Sequence, residues 1–390
     1  MQKFNSKPTE AGFTRNSTAN DQAPKVGVIG AGINGVMSAW ALMDHGYRVE
    51  LYECREPMGQ TSSASTKMLH GGLRYLAQGR LRLVKEALQE RRWWLSHGTP
   101  HAAPLALVVP IQNGQWLKAI WIGLGVKLYD LLAHGSGFQS SRWLDRQSLT
   151  LEIPGLDAKK FIGGWLYWDA AMDDHQLGRW ALSQLVQRGL TVHHEEVHRI
   201  AQDGSLETAK GIHSYAAIVN TSGPWAQALL SRSDITSNYG LELIKGSHII
   251  CDRPWSCGLA IPHVKGRLIF MLPWKGKLLI GTTESQQNTV DNIEASPEEI
   301  DELLVAANKV LCAPLSIQEI VSTFSGLRPV VRQIRDSPTG RSLSSQAMSS
   351  ASRESSVETT GRVVTLWGGK WTTSRQQGLA VSRAVAELLR

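Results

Sequence analysis

The chain has 390 residues, of which 42% are hydrophobic and 36 are glycine, and its formal net charge is +7. This composition excludes a mainly disordered chain, and no stretch is long and apolar enough to predict a transmembrane helix or the core of a signal peptide. The positive charge suits an anionic substrate or an anionic membrane surface, whereas no sequence signature supports nucleic acid as a partner.

The beginning of the chain and its cysteines add two expectations. Residues 1–24 are polar and predict a disordered lead-in. The four cysteines form no C-x-x-C pair and no spacing typical of metal ligands, which indicates a reduced cytosolic compartment rather than a disulfide framework. Cys54 is expected to be a buried thiol, and we expect no metal site.

Residues 25–53 predict a strand, a glycine-rich turn, a helix and a second strand. Gly30, Gly32 and Gly35 fit G-x-G-x-x-G, in which glycine permits the tight turn, the approach of a pyrophosphate to the backbone, and close packing of the helix on the strand. Glu53 ends the second strand, where a carboxylate can accept hydrogen bonds from both ribose hydroxyls. The unit therefore predicts a site for FAD or NAD rather than NADP, and the motif alone does not choose between the two.

Residues 59–76, GQTSSASTKMLHGGLRYL, are too polar and glycine-rich for ordinary core. Their small hydroxyl side chains could bind the phosphates or the ring edge of a cofactor, and Lys67, His70 and Arg74 add polar or cationic groups. The alternative interpretation is a solvated loop that leads into a basic amphipathic helix over residues 81–94.

The glycine turn and this polar segment together resemble the flavin-dependent glycerol-3-phosphate dehydrogenases, members of the wider glycine oxidase and D-amino-acid oxidase group. Further blocks follow in the family's order: NTSGPW at 220–225, LIKGSHII at 243–250, IGTTE at 280–284, FSGLRPVV at 324–331 and WGGKWTTSR at 367–375. The resemblance spans about residues 25–390 and implies FAD as the cofactor. The respiratory enzymes of the family carry a further C-terminal helical domain, so this chain resembles a short form.

The resemblance implies an α/β fold, an FAD-binding Rossmann-like domain of the glycine oxidase type with an inserted, mainly antiparallel β substrate domain. Alternating β-branched and aromatic segments over residues 241–281 favour that antiparallel sheet independently. We expect the FAD-binding domain to be discontinuous over residues 25–100, 160–240 and 361–390. The substrate-binding or cap domain is expected over residues 101–159 and 241–360.

Residues 115–132 predict a helix with an apolar face that carries the aromatics Trp116, Trp121 and Tyr129, and with cations at Lys118 and Lys127. A basic helix of this kind is typical of contact with an anionic membrane surface. The alternative is a buried helix with lysines at its rim. Because bacterial respiratory members of the family resemble this stretch, we expect a cytoplasmic protein that can be peripheral on the cytoplasmic face of the inner membrane.

Residues 190–200 alternate like a strand, and such a strand commonly passes the adenine in this fold class. Histidines at 193, 194 and 198 are expected on its surface, since no cluster of ligands joins them. Ser296 is expected to cap a helix over residues 297–311, and the Ser-rich residues 337–361 to form a connection. The glycine turn and the resemblance together predict the cofactor-binding residues Gly30, Gly32, Gly35, Glu53, Ser65, Thr66, Lys67, His70, Gly71, Val197, Gly223, Gly368, Gly369, Lys370 and Thr372.

Oxidising a secondary alcohol requires a hydride acceptor, a base for the hydroxyl proton and a means of holding the substrate, for which a phosphate is a convenient group. The resemblance implies that Arg74, Tyr75, Arg328, Arg341 and Lys370 surround the phosphate or the reacting hydroxyl. Any one of these cations could instead lie in a surface salt bridge. His248 is the predicted base, because histidine titrates near neutral pH, and Arg328 and Lys370 complete the predicted catalytic set. A core histidine is the alternative, and His70 is the second candidate for the base.

These residues predict FAD-dependent oxidation of sn-glycerol 3-phosphate to dihydroxyacetone phosphate, with electrons passed to a quinone or another acceptor. The first alternative is a flavin oxidase or dehydrogenase of another small 2-hydroxy acid or amine. The second is a flavin-binding remnant without catalytic activity.

Overall fold

The computed structural model describes residues 22–76, 79–135, 137–263, 267–291, 293–334 and 355–390. The predicted tail at 1–24 therefore lies almost wholly outside the described residues, as does most of the predicted Ser-rich connection at 337–361. Three sheets and the helices around them make up the described part of the chain.

The first sheet has six strands and is parallel except at one edge. Its strands lie in the order Ser356–Thr360, Val363–Trp367, Ala217–Asn220, Lys25–Ile29, Arg48–Tyr52 and Thr191–His193. Val28 in the central strand pairs with Leu51 on one side and Val219 on the other. All three side chains are fully buried, as expected for a parallel sheet that is covered on both faces.

Two long helices cover one face of this sheet and pack closely against each other. They span Ile33–Asp44 and Ser374–Leu388. A Cβ on Gly378 would lie 2.2 Å from the carbonyl oxygen of Met37, so glycine is needed for this close approach. The last helix of the chain is thereby held against the helix that begins at the glycine-rich turn.

The large sheet is mainly antiparallel, as predicted. Its main path runs through Ser285–Gln287, Tyr239–Cys251, Lys277–Gly281, Leu268–Trp274, Gly258–Pro262, Ala102–Gln112, Phe161–Met172 and Met68–Leu69. Two further strands, Ile320–Gln333 and Arg142–Asp145, pair with Tyr239–Cys251 and Phe161–Met172. The predicted domain boundaries stay a prediction, although the strands at 68–69 and 161–172 lie in this sheet rather than in the parallel one.

The expected single strand at 190–200 is wrong, because the structure contains two strands there. Thr191–His193 joins the edge of the parallel sheet, and Val197–Ile200 joins a three-stranded sheet with Ser205–Thr208 and Gly211–Ser214. The two acids between them, Glu195 and Glu196, belong to neither strand, and the chain changes sheets at that point.

The remaining helices lie around the sheets. They span Leu73–Leu76, Leu81–His97, Trp116–Leu132, Arg146–Glu152, Asp174–Gln187, Ala226–Arg232 and Pro297–Asn308. Ser296 caps the last of these, as predicted, and its hydroxyl and the Glu299 carboxylate form a reciprocal capping box. Among the described residues, every helix is too short or too polar to cross a bilayer.

Candidate active site

The glycine-rich turn closes tightly between strand Lys25–Ile29 and helix Ile33–Asp44. Gly30 has a φ of +95°, which side-chain-bearing residues rarely adopt, and a Cβ there would lie 2.8 Å from the carbonyl oxygen of Thr221. A Cβ on Gly35 would lie 1.8 Å from the carbonyl oxygen of Gly30. Glycine is therefore required at both positions for the helix to begin this close to the strand.

The carboxylate of Glu53 lies beside the glycine turn, at the end of the second strand. Its Oε2 accepts a hydrogen bond from the N–H of Ala31 at 2.8 Å, and its Oε1 accepts one from the N–H of Arg55 at 2.9 Å. These bonds orient the carboxylate, and because a carboxylate has about four acceptor positions, it can still accept from a ligand. The arrangement fits the predicted role in binding ribose hydroxyls.

A cleft of about 310 Å³ opens beside the turn, which is large enough for part of a cofactor. Gly30, Gly32, Glu53 and Val197 are among the residues that line it. The helix that starts at Ile33 has no acidic residue in its first turn, so its partial positive charge is available to an anion. We call this space the cofactor cleft. The carboxylate of Glu53, the glycines of the turn and the N-terminus of the helix fit the adenosine and pyrophosphate of FAD.

Val197 and Gly223 stay predicted cofactor residues, whereas the expectation for Cys54 is wrong. The carbonyl of Val197 accepts a hydrogen bond from Nη2 of Arg232 at 2.8 Å, and Gly223 has a φ of +59° at the turn that follows the strand Ala217–Asn220. Cys54 is exposed and lines the cleft, so the expectation of a buried thiol is wrong. The reason is that the buried strand ends at Tyr52, two residues earlier.

His248 lies within the strand Tyr239–Cys251 and is only 1% exposed. Its Nε2 lies 3.0 Å from the hydroxyl oxygen of Thr66, and its ring stacks on Phe324 with ring centroids 4.6 Å apart. A Cβ on Gly281 would lie 2.0 Å from the ring. The predicted base is therefore held by residues from three of the predicted blocks.

The surroundings of His248 control its protonation. Burial, together with the positive charges of Arg328 and Lys67, holds the pKa of His248 well below its usual value of 6.5. Its Nδ1 is buried and has no hydrogen-bond partner among the described residues. A neutral imidazole at neutral pH is the form that can accept a proton.

The guanidinium of Arg328 lies near the same strand. Its Nη2 donates a hydrogen bond to the hydroxyl of Thr282 at 3.1 Å, and its Nη1 lies 3.4 Å from Oε1 of Glu284. A Cβ on Gly246 would lie 2.7 Å from Nη2, so glycine in KGSHII makes room for the guanidinium. The structure thus brings the Arg328 guanidinium beside Gly246, which is two residues before His248 on the strand Tyr239–Cys251.

The polar segment is fixed by a buried ion pair. The Nζ of Lys67 lies 2.6 Å from Oδ1 of Asp174, and the hydroxyl of Ser65 donates to Oδ2 of the same carboxylate at 2.6 Å. The Nζ also donates to the carbonyl oxygen of Ser63 at 2.5 Å, while the neighbouring Ser62 lines the cofactor cleft. One segment therefore joins the cofactor cleft to the surroundings of His248. The predicted cofactor contacts of Ser65, Thr66 and Lys67 stay predictions.

His70 and Gly71 are held by their backbone N–H groups. The N–H of His70 donates to the hydroxyl of Thr372 at 3.3 Å, and the N–H of Gly71 lies 2.8 Å from the hydroxyl oxygen of Tyr129. That hydroxyl donates to Oδ1 of Asp169 at 2.7 Å. Because a Cβ on Gly71 would lie 2.5 Å from the Tyr129 hydroxyl, only glycine allows this approach.

The last glycine turn contacts the helix Ile33–Asp44, which follows the first glycine-rich turn. Gly368 and Gly369 have φ angles of +70° and +110°, and Nδ2 of Asn34 donates to the carbonyl of Gly368 at 3.0 Å. The ammonium of Lys370 lies 4.4 Å from the centroid of the Tyr75 ring. The two predicted substrate residues Lys370 and Tyr75 are thus neighbours. The backbone of Arg74 lies in the helix Leu73–Leu76, and Arg341 lies outside the described residues.

The prediction omitted three residues that organise the site, namely Asp169, Asp174 and Tyr129. Both aspartates are almost fully buried, at 1% and 0% exposure, and each binds a cation or several donors. The available signal was an ionisable side chain within or just after an apolar strand, since such a group is rarely buried without a partner. Their partners could not be identified from the sequence, because they are distant along the chain.

The comparisons with known proteins agree with the fold and the cleft. A family model described as FAD dependent oxidoreductase, DAO, matches residues 25–351. A glycerol-3-phosphate dehydrogenase of Mycobacterium leprae is 32% identical, over 92% of this chain and 62% of that protein. One of Synechocystis sp. is 31% identical, over 90% of this chain and 68% of that protein. One of Arabidopsis thaliana is 32% identical, over 92% of this chain and 60% of that protein.

Solved structures give the same architecture. The FAD complex of the glycerol-3-phosphate dehydrogenase from Bacillus halodurans has a TM-score of 0.67 at 23% identity, over 94% of this chain and 65% of that one. Glycine oxidase from Geobacillus kaustophilus has a TM-score of 0.67 at 20% identity, over 94% and 95%. The matches confirm the predicted fold class, the resemblance, FAD as cofactor and oxidoreductase as enzyme class. This chain spans 62% and 60% of the lengths of the Mycobacterium leprae and Arabidopsis relatives.

Proposed function

We propose that this chain, which belongs to the family of FAD-dependent oxidoreductases, oxidises sn-glycerol 3-phosphate to dihydroxyacetone phosphate. The observation that carries the proposal is the position of the Arg328 guanidinium beside Gly246, two residues from the buried, neutral His248. A phosphate and a secondary hydroxyl lie close together in this substrate. The paired strands Ile320–Gln333 and Tyr239–Cys251 can therefore present a cation to the phosphate and a base to the hydroxyl.

The protein side chains would bind and orient the substrate for loss of a proton and a hydride. Arg328 matches a phosphate with two parallel N–H groups, and Lys370 adds a point charge. His248 is the proposed acceptor of the hydroxyl proton, and the Thr66 hydroxyl, 3.0 Å from its Nε2, orients the ring. Burial of His248 excludes bulk water from the proton acceptor. FAD, when bound, supplies the acceptor for the hydride.

We assign the two ends of the cofactor to different parts of the site. Gly30, Gly32 and Glu53 in the cofactor cleft would hold the adenosine and pyrophosphate. His70 and Gly71, with the glycines of the last turn, would lie at the ring. The hydrogen bond from the N–H of His70 to the hydroxyl of Thr372 supports this assignment, because it joins the polar segment to the last glycine turn.

The test is anaerobic stopped-flow absorbance of the FAD-loaded protein mixed with sn-glycerol 3-phosphate. Rapid loss of the flavin absorbance is expected, and glycerol, which lacks the phosphate, should reduce the flavin far more slowly. Flavin that is stable to sn-glycerol 3-phosphate but reduced by glycine or a 2-hydroxy acid would reject this substrate and favour the alternative class.

The proposed electron acceptor is a quinone or another acceptor, and the quinone is tested first. After reduction by substrate, reoxidation by a soluble ubiquinone analogue should be much faster than reoxidation by dissolved oxygen. Fast reoxidation by oxygen, with one hydrogen peroxide formed per substrate oxidised, would identify an oxidase instead. Both rates can be read from the return of flavin absorbance in the same instrument.

The helix Trp116–Leu132, called here the apolar helix, supports a membrane surface as a partner. Its large apolar side chains are exposed, with Leu117 at 77%, Trp121 at 73% and Leu131 at 70% exposure. Its opposite side is buried, as the 1% exposure of Tyr129 shows. Exposed apolar surface of this kind marks a contact site. With exposed Lys118 on the same helix, the proposed partner is an anionic bilayer surface.

Vesicle co-sedimentation tests this contact. Vesicles that contain phosphatidylglycerol should bind the wild type, and the double variant Trp116→Ser/Trp121→Ser should bind much less. Leu151→Ser is a matched control, because Leu151 is 76% exposed but lies on another helix. Equal binding by all three proteins, or no binding by the wild type, would reject the proposed surface.

A further inference from the structure

The carboxylate of Glu299 is the centre of a buried polar network that the proposed chemistry does not use. Glu299 is 7% exposed, and its capping box explains only part of its bonding. Its Oε2 accepts a hydrogen bond from the hydroxyl of Ser247 at 2.8 Å and lies 2.9 Å from Nζ of Lys245. Its Oε1 accepts from the hydroxyls of Ser285 at 2.8 Å and Thr283 at 3.1 Å. One carboxylate thus joins a helix N-terminus, a strand and a turn.

The strand side of this network explains the KGSH sequence. Side chains alternate between the two faces of a strand, so Lys245 and Ser247 share one face and Gly246 and His248 share the other. The first pair contacts Glu299, while the second pair faces Arg328 and Thr66. Glu299 therefore holds the face of the strand that lies behind the proposed base.

The turn side of the network leads to the proposed phosphate-binding cation. The hydroxyl of Thr283 accepts from the N–H of Ser247 at 2.9 Å and donates to Glu299. The preceding residue, Thr282, accepts a hydrogen bond from Arg328. Glu299 thus contacts Ser247, the neighbour of His248, and Thr283, the neighbour of Thr282, without touching the side chains of His248 and Arg328.

We propose that Glu299 is a positioning residue for the substrate site. It fixes the strand Tyr239–Cys251 against the turn at Thr282 and Thr283, so that the base and the phosphate-binding cation keep their separation. The inference rests on the proposed function, since it assigns the substrate to His248 and Arg328. Small displacements of reacting groups are costly in enzymes, so loosening this network should slow the chemistry more than it weakens the fold.

Three variants separate positioning from helix capping. Glu299→Gln removes the charge at the centre, and Ser247→Ala removes one link to the strand but leaves the capping box. Ser296→Ala removes the cap and leaves the contacts of Glu299 with the strand. Each FAD-loaded protein is mixed anaerobically with sn-glycerol 3-phosphate to obtain the limiting reduction rate and the Kd. Thermal unfolding and amide hydrogen exchange of residues 243–250 are measured on the same samples.

We expect Glu299→Gln and Ser247→Ala to lower the limiting reduction rate by roughly ten- to a hundredfold, which is the range that misplacement of reacting groups can cause. Exchange over residues 243–250 should become faster in both. Ser296→Ala should lower the unfolding temperature but keep the wild-type reduction rate and exchange. If Glu299→Gln does not fold, the reduction rate and the exchange of Ser247→Ala test the proposal.

The proposal is overturned if Ser247→Ala keeps the wild-type rate and exchange, or if Ser296→Ala loses as much rate as Ser247→Ala. Failure of the proposed function would be distinct, because the wild-type flavin would then resist reduction by sn-glycerol 3-phosphate. The exchange of residues 243–250 would still show whether Glu299 fixes the strand.

Discussion

The hydroxyl oxygen of Thr66 lies 3.0 Å from Nε2 of His248, although the two residues are 182 positions apart in the chain. Thr66 belongs to the polar segment beside the cofactor cleft, and His248 belongs to the large sheet. The contact therefore brings together two predicted blocks at the ring of the proposed base.

Replacing His248 by Asn should lower the rate of flavin reduction by roughly two to four orders of magnitude, the usual contribution of a general base. Asn can keep a hydrogen bond to Thr66 but cannot accept the proton. Stopped-flow reduction by sn-glycerol 3-phosphate measures the effect. His263→Asn is the matched control, because His263 lies near the same sheet but pairs with Glu302. A wild-type rate in His248→Asn would exclude His248 as the base.

Protonation of His248 should also appear in the pH dependence of stability. Its folded-state pKa is below the usual 6.5, so between the two values the unfolded chain binds more protons than the folded chain. The contribution to the free energy of unfolding is complete above about pH 6.5 and is lost as the pH falls toward the folded-state pKa. Urea unfolding between pH 7 and pH 5 should show a smaller loss in His248→Asn than in the wild type. Identical pH dependence would contradict a lowered pKa.

Replacing Arg328 by Gln should weaken binding of sn-glycerol 3-phosphate by roughly ten- to a hundredfold, equivalent to about 1.5–3 kcal/mol for a hydrogen bond to a charged group. The Kd comes from the concentration dependence of flavin reduction. Removing this cation should also raise the pKa of His248 and shift the acid limb of the reduction rate to higher pH. Arg332→Gln on the same strand is the control, since Arg332 pairs with Glu242. Equal Kd values in the two variants would contradict phosphate binding by Arg328.

The buried pair of Lys67 and Asp174 gives a prediction about stability. Asp174→Asn should lower the free energy of unfolding by about 3–5 kcal/mol, because it leaves the buried ammonium without its counter-charge. The double variant Lys67→Met/Asp174→Leu removes both charges and should recover much of that loss. Urea denaturation measures all three proteins. A double variant less stable than Asp174→Asn would indicate that hydrogen bonds to Ser63 and Ser65 matter more than the charge.

Gly35→Ala should abolish retention of FAD through purification, because the new Cβ would lie 1.8 Å from the carbonyl oxygen of Gly30. Gly125→Ala is the control, since that glycine lies in a helix with no atom near the position of a new Cβ. The ratio of flavin absorbance to protein absorbance measures retention. Full retention by Gly35→Ala would show that the helix can move away from the turn without loss of the cofactor.

Much of the local structure followed from short stretches of sequence. The glycine turn from Gly30 to Gly35 and the cap at Ser296 were predicted because their geometry depends on residues within one or two turns of the chain. The blocks around His248 and Arg328 were recognised by resemblance. Residues 190–200 show what an alternating pattern cannot predict. Alternation of apolar and polar side chains predicts a strand, but it does not show where the chain leaves one sheet and joins another.

The sequence by itself determined the nucleotide-binding unit, the FAD-dependent family and the candidate residues of the site. Only the tertiary structure decided which groups meet: Lys67 with Asp174, Thr66 with His248, and Glu299 with the strand that carries His248. The physical reason is that turns and caps are set by neighbouring residues, whereas a buried charge is stabilised by whichever partner the packing of distant elements brings to it.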